Sequence, residues 1–393
     1  MMWIFYFLLF LLFAQTLLSL RGGRDYLAYF RRELDKPCRD FTPFATIFAP
    51  CRGLDQGLRE NLSALFILDY PAYEIVFVTD RADDACVAVI EAARREFPFV
   101  PSQLVIAGAA KDCGQKVRNL RAAVLQADEH GEVFAFVDSD ARPHAGWLRA
   151  LVAPLSDETI GAASGYRWFV PVRGGLASQL RAVWNASVAS ALGANGRRNF
   201  CWGGATAILR KTFDGLDMRE RWHGALSDDF AMTRALHEAK LDIYFVPQCL
   251  TVSHEDCGWR ELLEFTTRQI KITRVYAPHL WVIVLVSNLL FTLVFFGGWL
   301  LAARRGWLVI PLLLLYALGS LKAYMRWQAV KLALDGRQER GLWAHLLLWP
   351  FTSVIYAYNA LCAAFSRRIV WRGIGYELKS AHETIVKRPA QNN

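Results

Sequence analysis

Three observations predict an α/β protein with a mostly parallel sheet, joined to transmembrane helices, one N-terminal and about three C-terminal. Short apolar strands alternate with amphipathic helices between residues 45 and 140, the pattern of a parallel sheet covered on both faces. An uncharged apolar run fills residues 1–20, about the length of a hydrocarbon core, and three more apolar runs follow residue 278. The 393 residues are 54% hydrophobic and 21% charged, too apolar for an ordinary soluble chain and far too apolar for a disordered one. The 8 Cys include no CxxC pair, so neither a disulfide framework nor a zinc-ribbon spacing is present.

The first element is MMWIFYFLLFLLFAQTLLSL (1–20), which at 1.5 Å per residue spans about 30 Å. A signal peptide is the rival reading, disfavoured by the length of the apolar run, the missing basic n-region and the missing small-residue cleavage site. Arg21, Arg24, Arg31 and Arg32 follow directly. Basic residues beside a first span tend to stay inside, so residues 33–278 are expected in the cytosol of an integral membrane protein of the cell membrane.

Within that region the strands are read at 45–53, 74–80, 103–108 and 133–140, and the helices at 58–68, 85–97 and 116–127. Ligands of such sheets bind outside the carboxyl ends of the strands. The segment Pro50–Gly53, Asp80 and Asp138–Asp140 are therefore expected to converge on one crevice. No GxGxxG follows the first strand, which argues against a dinucleotide cofactor.

The C-terminal apolar runs lie at about 279–302, 307–321 and 343–365, separated by Arg304 and Arg305 and by Lys322, Arg326, Lys331, Arg337 and Arg340. Three full spans would put the basic juxtamembrane tail, 366–393 with Arg367, Arg368 and Arg372, on the outside, against the positive-inside tendency. One run is then expected to be re-entrant, with Trp349-Pro350 and the Pro311-containing run as candidates. The division expected is a transmembrane helix at 1–20, a cytosolic domain at 33–278, a membrane region at 279–365 and the tail. The net charge of +9 is assigned to lipid headgroups at these borders. Without a basic stripe interleaved with aromatics, no nucleic acid partner is expected.

Carboxylates carry the candidate chemistry. Asp138 and Asp140 flank Ser139 after an apolar strand, an oxygen-only pair suited to Mg²⁺ or Mn²⁺; a simple turn is the competing reading. Asp80, Asp83 and Asp84 end another strand, where a carboxylate can accept from a base or ribose, or cap the next helix. Asp228 and Asp229 open a helical pattern, as caps favoured by the dipole or as a repelling pair with one member raised into general-base range. Lys116 precedes a helix, either solvated or facing a diphosphate. The cluster His254–Cys257 reads as a polar loop more than as a metal site, and Cys201 as packed rather than nucleophilic.

The order of motifs resembles the family 2 glycosyltransferases, and within them the ceramide glucosyltransferase-like branch. The motifs are 50–86, GQKVRNL (114–120), VDSDARP (137–143), NFCWGGATAILRKTF (199–213), LSDDFAM (226–232), RQIKI (268–272) and VWRGIGYEL (370–378). The resemblance implies a GT-A-like nucleotide-sugar-binding domain that inverts a sugar, glucose or another hexose or HexNAc, from a UDP-sugar onto a hydroxyl of a membrane lipid such as ceramide. It implies donor binding by Asp84, with Asp80 nearby, and by Asp138 and Asp140, the last two with a divalent Mg or Mn; Pro50, at a strand carboxyl end, and Lys116, before a helix, are further donor-binding candidates. Asp229, beside Asp228, becomes the general base, and Arg268, Gln269 and Lys271 the interfacial acceptor segment. That segment departs from the family's (Q/R)xxRW. Lys271 keeps a charge without the planar fork of Arg, and Ile272 removes an aromatic platform, which disfavours a processive polysaccharide synthase. The alternatives are a polyprenyl-phosphate glycosyltransferase, which needs no strong base, and a non-catalytic membrane protein with a degenerate transferase domain.

Overall fold

The structure, a computed structural model, describes residues 2–334 and 341–387; Arg337, Arg340 and residues 388–393 lie outside them. The chain divides into two compact units. One comprises Met1–Arg32, Phe169–Ser190 and Glu255–Ile369, the other Glu33–Trp168, Ala191–His254 and Val370–Asn393.

The second unit is built on a seven-stranded sheet: β1 (Ala45–Pro50), β2 (Tyr73–Thr79), β3 (Ser102–Ile106), β4 (Val133–Phe136), β5 (Ile160–Val170), β6 (Thr206–Leu209) and β7 (Asp242–His254). Their order is β3-β2-β1-β4-β6-β5-β7. The pairs β1–β2, β2–β3 and β1–β4 are parallel, whereas β6 runs antiparallel to β4 and β5. Period-2 alternation sends side chains to opposite faces. Ile47, Ile75, Phe77, Val133 and Ala135 join one core and Phe48, Val76, Val78, Phe134 and Phe136 the other. Both faces are covered, so β1, β2 and β4 are buried along their whole length, as expected of the mostly parallel α/β sheet read from the sequence. Helices Leu58–Leu65, Ala85–Glu96 and Gln115–Ala123 follow β1, β2 and β3. β4 stops at Phe136 because the chain turns at Asp138, whose carbonyl accepts from Ala141 N at 3.0 Å.

The segment read as a basic tail carries three strands, β8 (Arg368–Trp371), β9 (Ile374–Ser380) and β10 (Glu383–Lys387), in a separate sheet of order β10-β9-β8. Ile374, Tyr376 and Leu378 alternate into its buried face. Gln115 N donates to Tyr376 Oη at 3.2 Å. Gly224, at φ +69°, lies so close that a Cβ there would meet His382 O at 2.0 Å. Its surface charges obscure the strand alternation in the sequence.

In the first unit, Met2–Leu34, Pro278–Ala302 and Gly306–Ala333 are helices long and apolar enough to cross a membrane. Pro311 sits near the start of Val309–Ala333, where a missing N–H is tolerated, and it interrupts nothing. The third C-terminal run is broken into Leu342–Leu347 and Trp349–Phe365, with Pro350 in the first turn of the latter. Two C-terminal helices, rather than about three, therefore meet the criterion among the described residues.

Candidate active site

Four segments of the sheet unit meet at Lys116, the second residue of helix Gln115–Ala123. Gly114 lets the backbone of 225–226 approach that helix: its N–H donates to Ala225 O at 2.9 Å, and a Cβ would fall 2.3 Å from Leu226 O. This contact brings Asp228 beside the lysine. Lys116 Nζ lies 2.7 Å from Asp138 Oδ1 and 3.1 Å from Asp228 Oδ2, and donates to Gly203 O at 3.4 Å. From β5, Arg167 Nη2 lies 2.5 Å from Asp140 Oδ1 and 3.6 Å from Asp138 Oδ2, its guanidinium 5.3 Å from the Trp202 ring centroid.

These cations set the protonation of the acids. Burial alone would raise Asp138, but Lys116 and Arg167 pull it below the usual carboxylate range. Asp228 is almost fully buried. Burial, reinforced by Asp229 and Asp138, outweighs the attraction of Lys116 and pushes Asp228 up to about 6. Lys116 is held well above its ordinary value by Asp138, Asp228 and Asp229 despite its own burial. Asp229 is less buried than Asp228. Its Oδ1 accepts from Phe230 N at 2.8 Å and from the Ser227 hydroxyl, while Oδ2 faces Gly203 N at 3.5 Å. The raised member of the acidic pair is thus Asp228.

Over residues 9–384 the sequence matches the family described as Glycosyl transferase family 21. The chain belongs to this family. It is a glycosyltransferase, in agreement with the ceramide glucosyltransferase-like reading. Ceramide glucosyltransferase 3 of Caenorhabditis elegans is 29% identical over 85 residues, which cover 22% of this chain and 18% of that protein. The mannosyltransferase PcManGT of Pyrobaculum calidifontis, solved with GDP-Man and Mn²⁺, is similar at 19% identity and a TM-score of 0.48, over 91% of this chain and 98% of its own. Glucosyl-3-phosphoglycerate synthase of Mycobacterium tuberculosis, solved with Mn²⁺ and UDP-Glc, matches 59% of this chain and 78% of its own at 14% identity and a TM-score of 0.37.

In this family 21 enzyme the remaining predicted residues are distributed as follows. Asp84 caps helix Ala85–Glu96: its Oδ1 accepts from Cys86 N at 2.9 Å and also from Gly53 N at 2.8 Å. Those bonds hold it below the ordinary carboxylate value although burial opposes them. Asp80, at the end of β2, is 4% exposed, with Oδ1 buried without a hydrogen-bond partner among the described residues and Oδ2 4.0 Å from Arg52 Nε. A buried acceptor of this kind is uncommon, and it distinguishes Asp80 from Asp84, whose Oδ1 is committed to Cys86 N and Gly53 N. Pro50 closes β1 opposite Val78. Cys201 is buried, which pushes its thiol up and makes it a poor nucleophile. In the loop 254–257, Glu255 pairs with Arg181 at 3.3 Å and Asp256 accepts from Val172 N and Arg173 N.

Arg268, Gln269 and Lys271 lie on helix Trp259–Tyr276 in the other unit. Arg268 stands 5.6 Å from the Phe265 ring, Gln269 O accepts from the Thr273 hydroxyl at 2.9 Å, and Lys271 donates to Arg368 O at 2.8 Å. Burial pulls Lys271 below its ordinary pKa. Ile272 is a 4% exposed core residue.

Asp138 and Asp140 supply hard oxygen donors suited to Mg²⁺ or Mn²⁺. Both are paired with cationic side chains, which a cation would have to displace in part. Among the described residues no group of three or more His, Cys, Asp or Glu could hold a metal; a cation on these two acids would complete its shell with donor phosphate oxygens, as is usual for Mg²⁺. The pair fits a metal in that sense.

Proposed function

We propose that this enzyme transfers a sugar from a UDP-sugar to a hydroxyl of a membrane lipid, with inversion, in the crevice around Lys116. The observation that carries this reading is the convergence of Asp138, Asp140, Asp228 and Asp229 on Lys116 and Arg167 beside the strand ends. Asp80 accepts from the nucleoside through its unpartnered oxygen, and Asp84 shapes the loop at Gly53. Asp138 and Asp140 would hold the divalent cation, which when bound takes up charge on the departing diphosphate. Asp229 accepts the proton of the attacking lipid hydroxyl while the oxygen bonds to the anomeric carbon and the sugar–diphosphate bond breaks, its electron pair leaving with UDP. Lys116 and Arg167 face that developing charge. Asp228, buried under Lys116, tunes the pair.

The relative from Caenorhabditis elegans is named a ceramide glucosyltransferase, which favours a lipid acceptor, as do the apolar helices. Arg268, Gln269 and Lys271 are assigned to the membrane interface. Topology supports the assignment. Residues 33–168 and 370–387 belong to one unit, tied by Gln115–Tyr376 and Arg372–Asp55, so the chain between them crosses the bilayer an even number of times. Pro278–Ala302 and Gly306–Ala333 supply two crossings, and the broken run 342–365 supplies none. The arginines after the first span favour the cytosol for that unit. Incubating membranes that contain the enzyme with radiolabelled UDP-sugars, then extracting and mass-analysing lipid, tests the reading; one labelled glycolipid is expected, and label only in polyprenyl phosphate would move the phosphate-acceptor alternative ahead.

A further inference from the structure

The turn between β8 and β9 is Arg372-Gly373, with both residues at positive φ, 47° and 76°. Two-residue hairpin turns of this kind normally place Asn, Asp or Gly first. A β-carbon residue there is strained, and strain at a defined side chain calls for a functional reason. The guanidinium of Arg372 donates from Nη1 to Arg52 O at 2.5 Å and from Nη2 to Asp55 Oδ1 and Oδ2 at 2.7 and 3.0 Å. Asp55 Oδ2 in turn accepts from Ser139 Oγ at 2.5 Å. Ser139 is the residue between Asp138 and Asp140, so the turn is wired to the middle of the acidic motif. Its carbonyl also accepts from Asn61 Nδ2 at 3.1 Å, which fixes that motif without Arg372.

Arg372 is therefore more than a strut. Its side chain is 37% exposed while Asp55 is 16% exposed, so the pair is buried on the acid's side and open on the arginine's. With Lys116 and Arg167 it is a third cation around Asp138 and Asp140, and its field contributes to holding Asp138 down. A planar fork that pairs with a carboxylate in two places also fits phosphate in two places. We propose that Arg372 is a phosphate-binding residue of the donor site, delivered by the β8–β9 turn, which exchanges part of its pairing with Asp55 for oxygens of a nucleoside diphosphate. Asp55 then keeps its bond to Ser139. The inference rests on the proposed donor reading and adds to it a ligand group from beyond the last apolar helix.

The test separates phosphate from nucleoside. UDP and uridine are titrated by calorimetry, with saturating Mn²⁺, into the purified full-length wild type and into Arg372→Ala, Arg372→Lys and Asp55→Asn. Arg372→Ala should lower UDP affinity at least tenfold and leave uridine affinity unchanged. Arg372→Lys should recover part of the loss, and Asp55→Asn should stay within a few-fold of wild type for both. Equal UDP affinity in wild type and Arg372→Ala overturns the proposal, as does a parallel loss of uridine or an equal loss in Asp55→Asn, which a structural latch would produce. A wild type that binds neither UDP nor uridine overturns the donor reading itself.

Discussion

Replacing Lys116 by Met removes the cation shared by Asp138 and Asp228 at nearly constant volume. At an effective dielectric constant of about 20, charges 2.7 and 3.1 Å apart attract by about 5–6 kcal/mol each. Relief of the lysine's own desolvation offsets part of this, and leaving buried acids unpaired costs about 3–5 kcal/mol net. For a unit of this size that is a fall in apparent Tm of about 6–20 °C. The pH dependence has a defined sign. Asp228 titrates near 6, above the usual 3.8, so protonating it stabilises the native state; that contribution is complete below about pH 4 and lost as pH rises through about 6. Without Lys116 its pKa climbs further, and the deficit of Lys116→Met should shrink on going from pH 7.5 to 5.5. The assay is thermal unfolding in detergent across pH, with Lys116→Met/Asp228→Asn as the companion that removes the stranded charge and recovers about half of the loss. A Lys116→Met protein that melts within about 2 °C of wild type at pH 7.5, or whose deficit grows on acidification, would refute the reasoning.

Gly203→Ala places a Cβ 2.3 Å from Lys116 Nζ and 2.7 Å from Asp228 Oδ2; separating that pair should cut UDP affinity about tenfold or more by calorimetry, a factor equal to about 1.4 kcal/mol. Asp140→Ala should weaken UDP binding much more in Mn²⁺ or Mg²⁺ than in EDTA, and equal affinities with saturating metal would remove the metal assignment. For topology, the exposed Cys38, kept as the single cysteine, should react with an impermeant maleimide only after permeabilisation of cells, and Glu383→Cys in place of Cys38 should behave identically; labelling of either from outside intact cells contradicts the cytosolic placement, and labelling of only one contradicts the even-crossing arrangement.

The sheet was legible because β1, β2 and β4 are buried on both faces, which makes them apolar apart from Thr46, Glu74 and Thr79. The acids were legible as pairs at strand or helix ends. Their partners were not. Arg167 lies in an otherwise buried strand, SGYRWFV, where a charge signals a hidden counter-ion, yet nothing local says that the counter-ion is Asp138 or Asp140. Asp55 and Arg372 are separated by 317 positions, and only the fold reveals that they meet. Which acid of the pair is raised also depends on burial, which favours Asp228. The third apolar run breaks just before Trp349-Pro350, one of the two places the prolines marked, whereas Pro311 sits harmlessly near a helix start; the C-terminal strands were hidden by their surface charges.

The central claim is that the acidic cluster performs sugar transfer to a lipid hydroxyl, and the most direct measurement compares turnover and UDP affinity in wild type and Asp229→Asn. A base that acts in the chemical step contributes about 10²- to 10⁴-fold to rate and little to ground-state binding. Asp229→Asn should lose transfer by that factor while UDP affinity stays within a few-fold, and Asp228→Asn should be milder. Near-normal turnover of Asp229→Asn with the natural lipid would contradict the hydroxyl-acceptor mechanism and leave the phosphate-acceptor alternative in its place.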